Sequence, residues 1–324
     1  MQTDSFSLLI SKSLKNYKKT ISIDSDKSIS IRSFLIGSIS EGVSTISNVL
    51  ESEDVFSTIN CLKELGVKII KVGKKKYKVF GKGLGSLRIK KNSSLNFGNS
   101  GTLSRLILGI ITSTPDLSIN VHGDSSLNKR NMSKLIALMN KFGAKFIPEN
   151  KKHFPLKIIS SNFPIGISYE AGTSAQLKSA VIFAALNSFG NTKIKEKVPS
   201  RDHTENMLKK NSQTIKVKKT NYKLIKIFGK NYLGKNTFQV AGDPSTAAFF
   251  TALTLLKENT FLKIKNVGLN PTRVGFYNLL KKSGAKIKFI NVKKVNNEKI
   301  GDIIVKSSKM KPIVASKKFY YNTT

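Results

Sequence analysis

Apolar residues along this chain pass from helical spacing to alternation, and the change occurs four times. Cys61-Leu62-Lys63-Glu64-Leu65-Gly66-Val67-Lys68-Ile69, Leu138-Met139-Asn140-Lys141-Phe142-Gly143-Ala144-Lys145-Phe146 and Leu279-Leu280-Lys281-Lys282-Ser283-Gly284-Ala285-Lys286-Ile287 each read as an amphipathic helix end, a stop and a strand. A degraded copy, Met207-Leu208-Lys209-Lys210-Asn211-Ser212, stands between the last two. The copies recur at roughly 70 to 77 residues, too long for a solenoid module and suited to duplicated supersecondary units.

Upstream of each copy the pattern predicts another helix opening on a polar turn, over 28–38, 102–111, 174–186 and 245–256. A strand follows each: Ser44-Thr45-Ile46-Ser47, Leu117-Ser118-Ile119-Asn120-Val121, Thr192-Lys193-Ile194-Lys195 and Phe261-Leu262-Lys263-Ile264. The unit is therefore strand, helix, strand, helix, then one or two strands, an α/β fold. Its first helices all begin at polar turns, so their free N–H groups can converge on anions. Three units occupy 18–236, and the weakly patterned, lysine-rich stretch 216–235 precedes a fourth that starts near Phe238. The expected domains are a complete one over 18–236 and an incomplete one from 1–17 with 237–324.

A formal charge of +37, from 56 basic and 19 acidic residues, raises nucleic acid as a partner. The lysines do not cluster on one predicted face, Trp is absent, and no zinc-finger or RNP-like string occurs, which argues against it. A diffuse positive field suits small anionic substrates, or simply a solvated lysine surface. Cys61 alone cannot build a disulfide framework, and His122, His153 and His203 lack metal-ligand spacing. No apolar run approaches a membrane span, so a soluble, cytoplasmic protein without metal or cofactor is expected.

Arginine is the informative cation. In a chain this rich in lysine it should persist where a planar, bidentate guanidinium is needed. There are six arginines, and five stand in short polar signatures. Asp26-Lys27-Ser28-Ile29-Ser30-Ile31-Arg32 puts Ser28 and Arg32 on one helix face behind Lys27, which suits an anion or a capped helix with exposed cations. Asn99-Ser100-Gly101-Thr102-Leu103-Ser104-Arg105 offers close backbone approach, a cap and free amides, and also reads as an ordinary capped helix. Gly172-Thr173-Ser174-Ala175-Gln176-Leu177-Lys178 concentrates polar groups at the mouth of an apolar helix, where a pure core helix would carry none. In Ser200-Arg201-Asp202-His203-Thr204-Glu205, Ser200 and Arg201 attract a ligand reading, while Asp202 and Glu205 suit the positive helix end. No nucleophile elbow accompanies His203, so a local hydrogen bond to Asp202 is expected instead of a triad.

In this order the strings resemble the 3-phosphoshikimate 1-carboxyvinyltransferase (5-enolpyruvylshikimate-3-phosphate synthase) family, from about Ser25 to Ser307. Gly123-Asp124-Ser125-Ser126-Leu127 with Arg130 and Met132, Gly242-Asp243-Pro244-Ser245 and Val267-Gly268-Leu269-Asn270-Pro271-Thr272-Arg273 extend the match. The resemblance implies an inside-out α/β barrel of repeated βαβαββ units, four of six present. It also implies transfer of the enolpyruvyl group of phosphoenolpyruvate to the 5-hydroxyl of shikimate 3-phosphate, with release of phosphate. By resemblance Lys27 is catalytic and touches both substrates. Ser28 and Arg32 would hold the shikimate carboxylate side, and Ser174, Ala175, Gln176 and Arg201 its phosphate region. Gly101, Arg130 and Gln176 would hold phosphoenolpyruvate. A monomer is expected at full length, with no nucleic-acid or membrane partner.

Ile31 and Asn131 depart from the family's usual histidine and proline, and the third unit loses its Gly-Ala helix end at Asn211-Ser212. Members of the family are longer, and their acid–base groups would lie beyond Thr324, so impaired turnover is expected, with a non-catalytic anion-binding protein as the alternative. UDP-N-acetylglucosamine enolpyruvyl transferase is the rival within the fold. It places asparagine after the entrance lysine and a reactive cysteine in a loop, whereas this chain has Ser28 and a core-like Cys61.

Overall fold

A computed structural model describes residue 9, residues 15–89 and 93–315, and residue 319. The tail 317–324, apart from residue 319, and most of 1–17 lie outside the described residues. The first stretch runs β1 (Lys18–Ser22), α1 (Lys27–Ile39), β2 (Glu41–Ser47), α2 (Glu53–Glu64), β3 (Lys68–Gly73) and β4 (Lys76–Lys82). The second is β5 (Ser94–Asn96), α3 (Gly101–Thr112), β6 (Ser118–His122), α4 (Ser125–Asn128), α5 (Ser133–Asn140), β7 (Lys145–Ile147) and β8 (Leu156–Ile159). The third is β9 (Ser168–Ala171), α6 (Ala175–Leu186), β10 (Asn191–Glu196), α7 (His203–Leu208), β11 (Ile215–Lys219) and β12 (Lys223–Phe228). The fourth is β13 (Thr237–Gln239), α8 (Pro244–Leu256), β14 (Phe261–Gly268), α9 (Gly275–Lys282), β15 (Lys286–Val295) and β16 (Glu298–Lys306).

All four predicted first helices form, and each starts on a capping side chain. Asp26, Ser100, Ser174 and Asp243 accept from amides of the first turn. The second helices stop as the sequence indicates: Gly66, Gly143 and Gly284 take positive φ of 81°, 92° and 96°.

Among the described residues the strands make four separate four-stranded sheets: β5-β6-β8-β7, β9-β10-β12-β11, β13-β2-β4-β3 and β1-β14-β16-β15. In each the outer first strand is parallel to its neighbour and the remaining pairs are antiparallel. Strands at both expected domain limits are exchanged. β1 joins the fourth sheet, Lys18 opposite Phe261, and β13 joins the first, Thr237 opposite Thr45. The two crossing segments hydrogen-bond to each other, Asp26 N to Ala241 O at 2.8 Å and Asp243 N to Asp24 O at 2.9 Å.

The expected barrel is corrected to a mixed α/β fold of open sheets, because among the described residues no sheet closes on itself. Helices α1, α3 and α6 are buried along almost their whole length, their polar residues such as Arg32 and Lys178 included. One core extends from Ile29 to Val240 and gathers these three helices. A second, from Ala247 to Val305, packs Tyr17, Ile21 and Ile23 against it. Helix α8 has the place in its unit that α1, α3 and α6 have in theirs, yet Phe249 and Leu256 are 79% and 81% exposed. No helix among the described residues is long and apolar enough to cross a membrane.

Candidate functional site

The entrance of α1 is built on Asp26. Its Oδ1 accepts from Ile29 N at 2.9 Å and its Oδ2 from Arg273 Nη1 at 3.0 Å. Burial alone would raise this carboxyl, but Arg273 and the charge of His203 hold it below its ordinary value. Lys27, half exposed, places Nζ 2.7 Å from Asp54 Oδ2. Ser28 is half buried, and its carbonyl accepts from Arg32 Nη1 at 3.1 Å. Arg32 is only 3% exposed. Its Nε donates to Thr204 Oγ1 at 2.9 Å and its Nη2 to Ser179 Oγ at 3.3 Å, so it links the first and third units from beneath the surface. Burial lowers its pKa to about 10 against the pull of Asp26 and Glu205.

At the entrance of α3, Arg105 Nη1 donates to Gly101 O at 3.0 Å and Arg130 Nη2 to Asn99 Oδ1 at 2.6 Å. Both guanidinium ends lie over the face of Gly101 where a side chain would stand. Burial and the charge of Arg130 lower the Arg105 pKa, the signature of two cations crowded together. Gln176, in the first turn of α6, donates from Nε2 to Thr102 Oγ1 at 3.2 Å and so joins the third unit to this corner.

Ser174, Ala175 and Gln176 share a cavity of about 210 Å³ with Thr173, Pro199, Ser200 and Arg201. Arg201 is held to about 10 by burial and by repulsion from Arg273, with Asp26 and Asp243 opposing. The structure therefore brings together Ser174, Ala175, Gln176 and Arg201 in one cavity, and Gly101 with Arg130 beside it through Gln176. Lys27 contacts Asp54, and Arg32 lies behind the cavity on Ser179 and Thr204. A helix entrance lined by hydroxyls, an amide and arginines can hold a phosphate or carboxylate by charge-assisted hydrogen bonds.

Two expectations change. His203 does not pair with Asp202; its Nδ1 lies 2.9 Å from Glu298 Oε1, a residue in the other core's sheet. Asp202 instead accepts from Asn206 and Asn270 at 3.0 and 2.8 Å. Nor is Glu205 merely favoured by the helix end: it is fully buried and accepts from Lys178 Nζ at 2.9 Å. Lys178, one of the polar residues grouped at the mouth of α6, is 0% exposed and also bonds Glu196 at 2.6 Å. Cys61 is buried as its helix pattern indicates, with the thiol pushed up to about 12 by burial and the charge of Glu64.

In the sequence Arg273 stands beside Pro271 and Thr272 with no visible partner. Its Nη1 pairs with Asp26, and its Nη2 donates to Asp243 Oδ1 at 2.8 Å and Ser245 Oγ at 2.9 Å. The available signal was that Asp26 and Asp243 both precede a first helix, equivalent caps in equivalent units.

The profile of the family described as EPSP synthase (3-phosphoshikimate 1-carboxyvinyltransferase) matches residues 12–316. The chain is similar to the 3-phosphoshikimate 1-carboxyvinyltransferase of Petrotoga mobilis, 40% identical over 301 residues, which cover 92% of this chain and 69% of that protein. It is 41% identical over 307 residues to the protein of the same name from Caldicellulosiruptor saccharolyticus, covering 94% and 70%. A solved structure of EPSP synthase from Acinetobacter baumannii superposes with a TM-score of 0.85 at 32% identity, covering 96% of this chain and 69% of that one. The chain spans about two thirds of the length of the relatives it matches.

Proposed function

Because the chain belongs to the EPSP synthase family, whose members are named for 3-phosphoshikimate 1-carboxyvinyl transfer, we propose that it binds shikimate 3-phosphate and phosphoenolpyruvate at the entrances of α1, α3 and α6. The observation that supports this is the cavity shared by Ser174, Ala175, Gln176 and Arg201, with Gln176 reaching Thr102 beside Gly101 and Arg130.

In this reading the phosphate of shikimate 3-phosphate sits among Ser174, Gln176 and Arg201, and Ser28 with Arg32 shapes the wall nearest its carboxylate. Phosphoenolpyruvate lies against Gly101, Arg130 and Gln176. Lys27 leaves Asp54 and reaches both ligands. The 5-hydroxyl oxygen bonds to C2 of phosphoenolpyruvate while C3 takes a proton. The tetrahedral intermediate then loses phosphate from C2 and a proton from C3, which restores the enol ether. One base for the hydroxyl and one acid for C3 are required, and the cations hold the anionic groups in line for attack. The four sheets are read as four of six related units, divided between a three-unit lobe and a second lobe across the exchanged strands β1 and β13.

The test is calorimetric titration of each substrate, with phosphate release assayed alongside, on the chain and on its Lys27→Met variant. Binding of both with release that the substitution abolishes supports transfer. Binding without release favours an anion-binding protein that does not turn over, and failure to bind shikimate 3-phosphate overturns the site.

A further inference from the structure

A lysine on the inner side of a buried helix is costly unless carboxylates accompany it. Lys178 stands one turn below Ser174 on α6, wholly buried, and two equally buried carboxylates meet its Nζ: Glu196 Oε1 at 2.6 Å and Glu205 Oε1 at 2.9 Å. Glu196 ends β10 and Glu205 lies in α7, so these two residues flank the loop that carries Ser200 and Arg201. The oxygen of Glu196 that receives Lys178 also accepts from Ser200 N at 3.0 Å and Ser200 Oγ at 2.6 Å. Lys223 completes the cluster, 3.1 Å from Glu205 Oε1 and 3.7 Å from Glu196 Oε2.

Two lysines face two glutamates, and Asp202 Oδ2 lies a further 3.6 Å from Lys223, so the cluster adds no net positive charge to attract an anion. Its geometry does something else. It joins the 174–176 wall of the cavity, carried on α6, to the 200–201 wall, carried on the loop, through one carboxylate oxygen with three donors.

We propose that Lys178 is a positioning residue that, through Glu196, sets the distance and orientation of Ser200 and Arg201 relative to Ser174 and Gln176, and so shapes the cavity for a phosphate group. Glu205 shares the lysine without touching the loop backbone at Ser200, so it contributes stability and not position. The inference rests on the reading of this cavity as a phosphate site.

Without Lys178 the cluster holds Glu196, Glu205 and Asp202 around the one lysine Lys223. Excess negative charge then lies behind the cavity, and Glu196 turns toward Lys223, releasing Ser200. Lys178→Met should raise the dissociation constant for shikimate 3-phosphate by about tenfold or more, the factor expected from one lost charge-assisted hydrogen bond. Affinity for phosphoenolpyruvate, held at Gly101 and Arg130, should change far less. Amide hydrogen exchange at 200–201 should speed up, while that at 101–105 stays as it was. Glu196→Gln, an isostere that leaves no buried carboxylate facing Lys178 from β10, should accelerate exchange at the same two residues and serves if the methionine variant does not fold. Glu205→Gln should lower the melting temperature yet leave exchange at 200–201 and shikimate 3-phosphate affinity within about twofold, well under the tenfold that marks a lost contact.

Exchange reports the tether whether or not a ligand binds. If the unsubstituted chain fails to bind shikimate 3-phosphate, the phosphate reading falls by itself. If exchange at 200–201 is unchanged in Glu196→Gln and in folded Lys178→Met, or if Glu205→Gln disturbs it as much, Lys178 is a structural ion pair only and the inference is overturned.

Discussion

His203 and Glu298, 95 residues apart, meet at 2.9 Å across the two hydrophobic cores, and the other oxygen of Glu298 accepts from Asn270 at 2.8 Å. Asn206 donates to the same oxygen as His203 at 3.2 Å. One buried carboxylate therefore satisfies two residues of the first core's helix α7 and one of the second. Burial alone would raise its pKa, but the His203 bond and charge, with the two amides, hold it below its ordinary value. Glu298→Ala leaves His203 Nδ1 without its partner, at a cost of about 1–3 kcal/mol for a buried group left unsatisfied, while Asn206 and Asn270 keep only their bonds to Asp202. Denaturant unfolding followed at each core separately should show the two transitions drawing apart. Coincident transitions at unchanged midpoints would mean that the contact couples nothing.

The buried cluster gives the chain an acid limit with a calculable sign. Burial would raise Glu205, but Lys178 and Lys223 outweigh it and lower the carboxyl from 4.5 to about 2. A carboxylate depressed in the folded state stabilises it above the unfolded pKa and loses that contribution as pH falls through the folded one. The stabilisation from Glu205 is thus complete above about pH 4.5 and disappears on the way down to about pH 2. Glu205→Gln should lower stability at neutral pH and flatten the dependence between those limits. A variant as acid-sensitive as the parent in that window would show that other carboxylates set the limit.

The elements and the anion-ready entrances were legible because they depend on local pattern. Periodicity marked α1, α3, α6 and α8, and the caps at Ser100 and Ser174 stood where polar residues met apolar runs. Rarity made arginine readable: Arg130 and Arg201 lie at the entrance of α3 and in the cavity. Lysine carried no such contrast, so Lys178, wholly buried, looked like its exposed neighbours. Strand exchange was illegible for a different reason. Ile21 and Ile23 indicate which side of β1 packs inward but not which edge accepts the strand, and Lys18 could face a residue of any sheet until Phe261 is seen opposite it. The same limit hid Glu298, whose meaning depends on His203 in another core.

Helix α8 offers a test of association. Phe249, Phe250, Leu253 and Leu256 fall on one helical face and are all exposed, while Ala247, Thr251, Thr254 and Leu255 are buried on the other. A contiguous apolar face of this kind favours contact with other apolar surface. Sedimentation velocity should show concentration-dependent association of the chain, reduced in Phe249→Lys with Leu256→Lys at little cost in melting temperature. A parent that stays monomeric at high concentration would show that the face is tolerated in water.

Gly101 is where a small change should separate binding from folding. A Cβ there would stand 2.6 Å from Arg130 Nη1 and 2.9 Å from Arg105 Nη1, too close for either guanidinium to stay where it is. Both obstructing atoms end flexible side chains, so the fold can accommodate Ala by moving them. The residue lies in the first turn of α3, where Ala is preferred to Gly by about 0.5–1 kcal/mol in helix propensity. Stability should therefore change little. The displaced arginines lose their bonds to Asn99 and to the Gly101 carbonyl, which remain 2.6 and 3.0 Å long only while that space is empty. Phosphoenolpyruvate affinity should fall by about tenfold or more in Gly101→Ala, the loss of at least one charge-assisted bond. Shikimate 3-phosphate, held at Ser174 and Arg201, should keep its affinity. Calorimetry with each ligand, paired with thermal melts, decides it. Equal losses for both ligands, or a collapse in melting temperature, would show that Gly101 serves the helix and not a separate phosphoenolpyruvate contact.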